Sequence, residues 1–114
     1  PCRVQIVDNG SVDSTEKMVR ALQPSFSCGL EYLNLGYNHG FAKAANVGIQ
    51  STSTQFVALL NNDTHADSGW VKAGVTALRQ HPDYTIFASN IVDYNLRKQL
   101  DSAGDCYNRS GIPY

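Results

Sequence analysis

Three short polar segments of this sequence contain the kinds of side chain that bind nucleotides, phosphates and divalent cations. The first is Asp8–Asp13 (D-N-G-S-V-D), where the Asp8 carboxylate can accept a hydrogen bond from a base N–H or a ribose hydroxyl. Asn9 and Gly10 permit a tight turn with positive φ. The same residues also suit an ordinary turn followed by a helix cap, so this segment alone leaves both interpretations open.

The second segment, Asn34–Gly48, is rich in glycine and alanine, which let a backbone approach a ligand closely. A helix that begins near Gly40 would direct N–H groups and a positive dipole end at an anion, and Lys43 in its first turn could reach a phosphate. The small residues are equally suited to close packing of a helix on a sheet. His39, taken alone, is more typical of a capping or surface histidine than of a catalytic one.

The third segment, Asn61–Thr64 (N-N-D-T), supplies one carboxylate and two side-chain amide oxygens. Mg²⁺ and Mn²⁺ prefer oxygen ligands, and substrate phosphates often complete their coordination. One carboxylate is too few for tight binding without such a phosphate. On its own, the segment is also a common turn sequence.

The elements that must position these segments are short apolar strands separated by stretches of helical periodicity. The predicted strands are Arg3–Val7, Leu30–Asn34, Gln55–Leu60 and Thr85–Ser89. Their alternation with helices predicts parallel βαβ units, and the nearly all-apolar third run is typical of a central strand. Ligands bind at the carboxyl ends of such strands, so Asp8 and Asp63 are expected to face one cavity.

The helices between these strands carry their own start and stop signals. Asp13 followed by Glu16 predicts a capping box for the first helix, and Pro24 ends it. Ser68 or Asp67 is expected to cap the third helix.

The composition excludes several classes of protein. Of the 114 residues 42% are hydrophobic and 17% charged, with a net charge of −1, which fits a soluble domain without the basic surface that binds nucleic acid or anionic membrane. Cys2, Cys28 and Cys106 lie far apart, which favours reduced thiols over a disulfide or zinc site. Neither G-x-G-x-x-G nor a P-loop motif occurs, which argues against a dinucleotide-dependent oxidoreductase and a P-loop nucleotidase.

Taken in order, the motifs resemble those of family 2 glycosyltransferases with the GT-A fold, especially the rhamnosyltransferase-like branch. The matching stretches are V-D-N-G-S-V-D-S-T at Val7–Thr15, N-H-G-F-A-K-A-A-N-V-G at Asn38–Gly48 and L-N-N-D-T at Leu60–Thr64. Trp70 and Ser102-Ala103-Gly104 also fit. The resemblance implies a three-layer, Rossmann-like α/β fold with a mostly parallel sheet and helices on both faces.

The resemblance also divides the chain into residues 1–94, a nucleotide-sugar-binding βαβ domain, and residues 95–114, an irregular segment or short hairpin. Compared with the family, we expect the first strand and the acceptor-binding half to be missing. The missing strand would leave two strand edges unpaired, which would either pair directly or associate in a homodimer.

The resemblance further implies that the chain binds a nucleoside-diphosphate sugar with a dTDP or UDP donor group, together with Mg²⁺ or Mn²⁺. Asp8 would contact the base, while Asp63 and Asn61 would hold the metal at the position of the family's DXD motif. Asn61 replaces the first carboxylate of that motif. The substrate-binding residues implied are Asp8, Asn9, Ser11, Asn38, Gly40, Lys43, Asn46, Asn61, Asn62 and Asp63.

The implied reaction is sugar transfer to a hydroxyl of a glycan or lipid-linked acceptor, during bacterial surface polysaccharide synthesis in the cytoplasm or at the inner face of the inner membrane. A carboxylate base normally comes from a Glu-Asp pair, which this chain lacks. Asp93, Asp101 and Asp105 have the wrong context, so no catalytic residue is assigned and the chain alone is expected to be inactive. The alternative is a non-catalytic nucleotide-binding or assembly module of the same fold.

Overall fold

A computed structural model describes residues 2–96, 99–102 and 109–110 of the chain. The chain divides into two compact units, Pro1–Leu59 and Leu60–Tyr114. The structure contains both helices and strands and belongs to the mixed α/β class, as predicted. Among the described residues, no helix combines the length and the apolar character needed to cross a bilayer.

The first unit is built around a parallel pair of strands joined by a helix. Strand β1 (Val4–Asp8) is followed by helix α1 (Thr15–Leu22), a 3₁₀ turn (Gln23–Ser25), strand β2 (Leu30–Asn34) and helix α2 (Phe41–Gln50). The register of the strands runs from Val4 opposite Leu30 to Asp8 opposite Asn34. The first predicted βαβ unit is thus present. It brings Asp8 and Asn34 side by side at the carboxyl ends of its strands.

The core of this unit lies where the two helices pack on the strands. Val19 of α1, Leu30 of β2 and Ala44 of α2 are buried. A Cβ added at Gly48 would lie 2.9 Å from Cγ2 of Val7, so α2 approaches β1 closely at this glycine. Close helix–sheet packing, one of the two interpretations of the small residues, therefore accounts for Gly48.

Two of the four predicted strands are absent from the described part of the chain. Gln55–Leu60 forms no strand and crosses the boundary between the units, with Phe56, Val57, Leu59 and Leu60 all at least 38% exposed. Thr85–Ser89 forms none either. Apolar and β-branched residues are common in strands because their side chains pack well in a buried sheet. A strand also needs a neighbouring strand to which its backbone can hydrogen-bond. The described residues give neither run such a neighbour, and the three-layer arrangement stays a prediction.

The second unit contains helix α3 (Trp70–Gln80) and two short strands, β3 (Ile91–Val92) and β4 (Leu100–Ser102), which pair antiparallel with an irregularity at Ile91/Val92. This hairpin crosses the boundary predicted after residue 94. Ala103, Gly104, Asp105 and Cys106 lie outside the described residues, as do other parts of 95–114.

The predicted helix caps are not formed as expected. Ser14 precedes α1 without a side-chain cap, while the Asp13 carboxylate accepts a hydrogen bond from Thr15 N at 2.9 Å. Glu16 instead pairs with Arg20 at 2.7 Å, because residues four apart lie side by side on a helix. At α3, Gly69 takes the cap position predicted for Ser68 or Asp67. In both cases the helix begins one or two residues later than the local motif indicates.

Candidate functional site

Asp8 is the one buried charged side chain among the described residues, with 4% of its surface exposed. It ends β1, and its carboxylate is held from two sides. Oδ1 accepts a hydrogen bond from the Ser11 amide at 2.7 Å, and Oδ2 accepts one from the hydroxyl of Tyr32 on β2. The predicted base-binding carboxylate is therefore fixed in position by its own loop and by the neighbouring strand.

The Asp8–Tyr32 pair shifts the titration of both groups. The Tyr32 hydroxyl holds the pKa of Asp8 below its ordinary value; burial opposes this effect and the Ser11 amide reinforces it. The same contact raises the pKa of Tyr32 to about 12. At neutral pH the pair is thus an ionised carboxylate and a neutral phenol. The Arg20 side chain lies over the same tyrosine, with its guanidinium carbon 5.8 Å from the centre of the Tyr32 ring.

Two asparagines connect the loop after β1 with the loop after β2. Asn9 Nδ2 donates to Asn38 Oδ1 at 3.1 Å, and Asn9 Oδ1 accepts from the His39 amide at 2.8 Å. Asn38 Oδ1 also accepts from the Gly40 amide at 2.8 Å. The backbone adds a bond of 2.9 Å from Leu35 N to the carbonyl of Asp8. The two predicted binding segments of the first unit thus form one hydrogen-bonded cluster.

Gly10 shows how closely these loops approach each other. Its φ is +91°, and a Cβ added there would lie 2.5 Å and 2.6 Å from backbone atoms of Tyr37 and 2.8 Å from Asn38 N. An L side chain is disfavoured at this φ and has no space in addition. The predicted positive φ is confirmed at Gly10 and is not adopted by Asn9, and the turn brings the two loops into contact.

The second loop leads into α2 through Gly40, which precedes the helix with φ +81°. Lys43 and Asn46 lie on the first turns of α2 and are exposed, as is Ser11 in the first loop. His39 is half-buried, with its ring Nε2 3.3 Å from the carbonyl of Leu35 and its ring centroid 3.8 Å from that of Tyr37, the two rings being tilted by 42°. These contacts connect the ring to its own loop, and the non-catalytic interpretation stays a prediction.

The third segment lies in the second unit and forms a turn. Thr64 donates to the carbonyl of Asn61 through its amide at 3.2 Å and its hydroxyl at 2.6 Å. Asn61, Asn62 and Asp63 are exposed. Within the described ranges, no three His, Cys, Asp or Glu side chains come together as metal ligands would. The prediction that Asp63 shares a cavity with Asp8 spans the two units and stays a prediction.

Tyr32 and Asn34 lie in this cluster, although neither is among the predicted substrate-binding residues and Asn34 was named only as the end of a predicted strand and the start of the second segment. Asn34 Oδ1 accepts from Gly36 N at 2.6 Å, and Asn34 Nδ2 lies 3.5 Å from the Tyr32 hydroxyl. The signal was present in the alternation of β2, where Tyr32 and Asn34 share a face two residues apart. Which residue of β1 these two side chains contact depends on the register between β1 and β2, and the sequence of one strand does not reveal that register.

The buried carboxylate that ends β1 and the glycine-rich loop after β2 lie at the carboxyl ends of a parallel pair of strands, which is where open α/β sheets bind ligands. The protein-family model for glycosyl transferase family 2 matches residues 1–109. The chain belongs to this family, which confirms the resemblance at the family level. Its rhamnosyltransferase-like branch stays a prediction.

Among characterised proteins, the chain is similar to Glycosyltransferase AglE of Haloferax volcanii, with 32% identity over 75 residues. The match covers 66% of this chain and 24% of the relative, so the chain spans about a quarter of the relative's length. No solved structure gives a significant match.

Proposed function

We propose that the chain is the donor-binding part of a family 2 glycosyltransferase and that its first unit binds the nucleoside diphosphate of the sugar donor. The observation that carries this proposal is the cluster at the ends of β1 and β2. There, the buried Asp8 carboxylate lies in one loop, and that loop is hydrogen-bonded to the loop leading into α2.

Asp8 supplies the contact to the base. An ionised carboxylate is an acceptor only, and each of its oxygens can accept more than one hydrogen bond. Tyr32 and Ser11 N each occupy one oxygen, and we propose that the remaining acceptor capacity receives the imide N–H of uracil or thymine when a base binds. The choice of a UDP or dTDP donor rests on the motif resemblance, and Ser11 and Asn9 lie in the same loop as Asp8.

The start of α2 supplies the site for the diphosphate. The first N–H groups of a helix lack intrahelical acceptors and carry a partial positive charge. Gly40 leaves space in front of them, since a Cβ added there would contact nothing within 4 Å. Lys43 and Asn46 add a cation and a carboxamide on the exposed first turns.

A divalent cation is the proposed role of Asp63 and Asn61. Their carboxylate and amide oxygens are the hard ligands that Mg²⁺ and Mn²⁺ select, and their exposure leaves space for phosphate oxygens, so these residues fit such an ion. Asn62 adds a further amide oxygen. When bound, Mg²⁺ or Mn²⁺ stabilises the charge on the departing diphosphate.

The proposed reaction is transfer of the sugar to an acceptor hydroxyl. The bond between the anomeric carbon and the diphosphate breaks, a glycosidic bond forms, and a carboxylate base takes the hydroxyl proton. Asp93 is not proposed as this base, and its Oδ1 accepts hydrogen bonds from the amides of Asn95 and Leu96 in its own turn, at 2.8 and 2.6 Å. We propose that the base and the acceptor site belong to residues outside these 114.

The proposal also names a sugar, a process and a location. The sugar is rhamnose, the process is bacterial surface polysaccharide synthesis, and the location is the cytoplasm beside the inner membrane. All three rest on the motif resemblance in Val7–Thr15, Asn38–Gly48 and Leu60–Thr64.

Calorimetry with UDP, dTDP and GDP, each with and without Mn²⁺, tests donor binding. We expect UDP or dTDP to bind more tightly than GDP, and Asp8→Ala to abolish that binding. A donor-hydrolysis assay follows. Binding without turnover is expected of the chain alone, whereas turnover would show that it contains its own base. If the full-length protein also binds without turnover, the non-catalytic module is the correct function.

Association into a homodimer is a further part of the proposal. In the described residues β1 pairs only with β2, so its other edge has no strand partner, and Phe56, Val57 and Leu59 are exposed in the same unit. Unpaired edges favour pairing with a second chain. Light scattering should give the mass of a dimer, and slow amide exchange in β1 should accompany it. A monomer with rapid exchange at alternate β1 amides would contradict this.

A further inference from the structure

We propose that Asn9 is a positioning residue that couples the loop after β1 to the start of α2, so that the nucleoside and the diphosphate bind as one event. The inference rests on the proposed function, in which a nucleotide contacts both loops. It assigns Asn9 a role through the protein, rather than as one more direct contact to the ligand.

The orientation of both carboxamides follows from their backbone partners. Oδ1 of Asn9 must face the His39 amide, and Oδ1 of Asn38 must face the Gly40 amide, because each backbone N–H needs an acceptor. Asn9 Nδ2 is then left to donate to Asn38 Oδ1. Rotating either carboxamide by half a turn would set its NH₂ group against a backbone N–H, so the arrangement has one solution.

Asn9 uses both ends of its carboxamide to hold the second loop. Its oxygen fixes His39 and its nitrogen fixes Asn38, whose own oxygen fixes the residue that precedes α2. Displacing Asn9 therefore releases the backbone from His39 to Gly40. That backbone determines where the first N–H groups of α2 lie.

The backbone contact at Gly10 supports the coupling independently. The space in which a Gly10 side chain would lie is filled by backbone atoms of Tyr37 and Asn38. The loops thus approach each other through backbone atoms next to the carboxamide bonds. A shift of the first loop on nucleoside binding is transmitted to the second by contact as well as by hydrogen bonding.

A double-mutant cycle on nucleotide affinity tests the coupling. Calorimetry would use UDP or dTDP, whichever the wild-type chain binds more tightly, with wild type, Asn9→Ala, Asn38→Ala and the double variant. We expect each single change to weaken binding by about tenfold, and the double variant to be within about threefold of the weaker single. A loss of about a hundredfold in the double variant would mean independent contacts and would overturn the inference.

Ser51→Ala is the matched control. It removes side-chain hydrogen bonds of 2.9 Å to Gln5 and 2.8 Å to the Gly48 carbonyl in the same unit, without contact to either loop. We expect its nucleotide affinity to equal that of wild type. A tenfold loss in this control would show that general destabilisation explains the effect at Asn9, and would overturn the inference.

Asn9→Asp separates the two halves of the connection and replaces the alanine variant in the cycle if that variant does not fold. The aspartate keeps an acceptor for His39 but sets a second acceptor against Asn38 Oδ1. We expect the His39 amide to exchange as slowly as in wild type while UDP affinity falls about tenfold. If Asn9→Asp bound UDP as tightly as wild type, the inference about Asn9 would be overturned while the proposed function would stand. Failure of wild type to bind any nucleotide would overturn the proposed function, and this inference with it.

Discussion

The hydroxyl of Tyr32 donates a hydrogen bond to the carboxylate of Asp8 across the parallel β1–β2 pair. The two residues are 24 positions apart in the sequence. Their contact lowers the pKa of the buried carboxylate, and it brings Tyr32, a strand residue outside the recognised motifs, into direct contact with the proposed base-binding group.

Removing this hydroxyl should move the pH dependence of nucleotide binding. Tyr32 lowers the pKa of Asp8, so in Tyr32→Phe the carboxylate should take up its proton at a higher pH as the solution is acidified. We expect the pH at which half the affinity is lost to rise, with affinity at neutral pH reduced by about threefold to tenfold. Calorimetry over a pH series measures this, with Tyr84→Phe as the control. Superimposable pH profiles would contradict the assignment.

The reciprocal effect should appear in the titration of Tyr32. The hydrogen bond to Asp8, together with burial and the Asp8 charge, raises the pKa of Tyr32 to about 12. In Asp8→Asn the resonance of Tyr32 should titrate nearer to about 10, the usual value for a tyrosine. NMR of tyrosine-labelled protein would resolve this residue from the five other tyrosines. A Tyr32 pKa that stays near 12 in the variant would show that Asp8 is not its cause.

The stability of the chain should carry the same signature. The folded pKa of Asp8 lies below its unfolded value, so its contribution is present above the unfolded pKa and is lost as pH falls through the folded pKa. We therefore expect Asp8→Asn to reduce the free energy of unfolding at neutral pH and to have little effect in strong acid. Urea unfolding at both pH values measures the difference. An equal loss at both would point to packing instead.

Gly10→Ala should destabilise the first unit more than Gly29→Ala. Both glycines have positive φ, +91° and +78°, but only Gly10 has backbone atoms where the new methyl group would lie. We expect the dihedral change to cost about 1–2 kcal/mol at either position, with a further loss at Gly10. Urea denaturation of the two variants gives the comparison. Equal losses would mean that the loops do not touch at Gly10.

Gly48 and Gly74 should respond differently to alanine although both lie within helices. Alanine in place of a helical glycine stabilises by up to about 1 kcal/mol, which Gly74→Ala should show because its surroundings are open. At Gly48 the added methyl group would lie 2.9 Å from Cγ2 of Val7, so this gain should be cancelled or reversed. Thermal unfolding of each variant tests this, and a gain at Gly48 would contradict the close packing of α2 on β1.

Asp63→Asn should remove the metal dependence of nucleotide binding without removing binding itself. Substrate phosphates complete the proposed site, so Mn²⁺ should tighten UDP binding of wild type by about tenfold or more and leave the variant unchanged. Asp83→Asn, also exposed and in the same unit, serves as the control. If Mn²⁺ still strengthens binding to the Asp63 variant, the ion is held by other residues.

The first unit could be predicted well because its signals are local. The βαβ order, the turn at Gly10 and the helix that follows Gly40 depend on apolar periodicity and on glycine, whose effects act within a few residues. The predictions for Gln55–Leu60 and Thr85–Ser89 were wrong for the described chain, because strand formation depends on a neighbour that the run itself does not specify. The predicted capping box of Asp13 and Glu16 did not form for a related reason, since Glu16 pairs instead with Arg20, one turn later in the same helix.

By itself, the sequence determined the family and the class of fold, because ordered motifs encode short-range backbone geometry and side-chain chemistry. Only the tertiary structure decided what those residues do for one another. The parallel register placed Tyr32 against Asp8, and the approach of two loops turned Asn9 and Asn38 into a connection between them. Such relations join residues far apart in the chain, and packing alone establishes them.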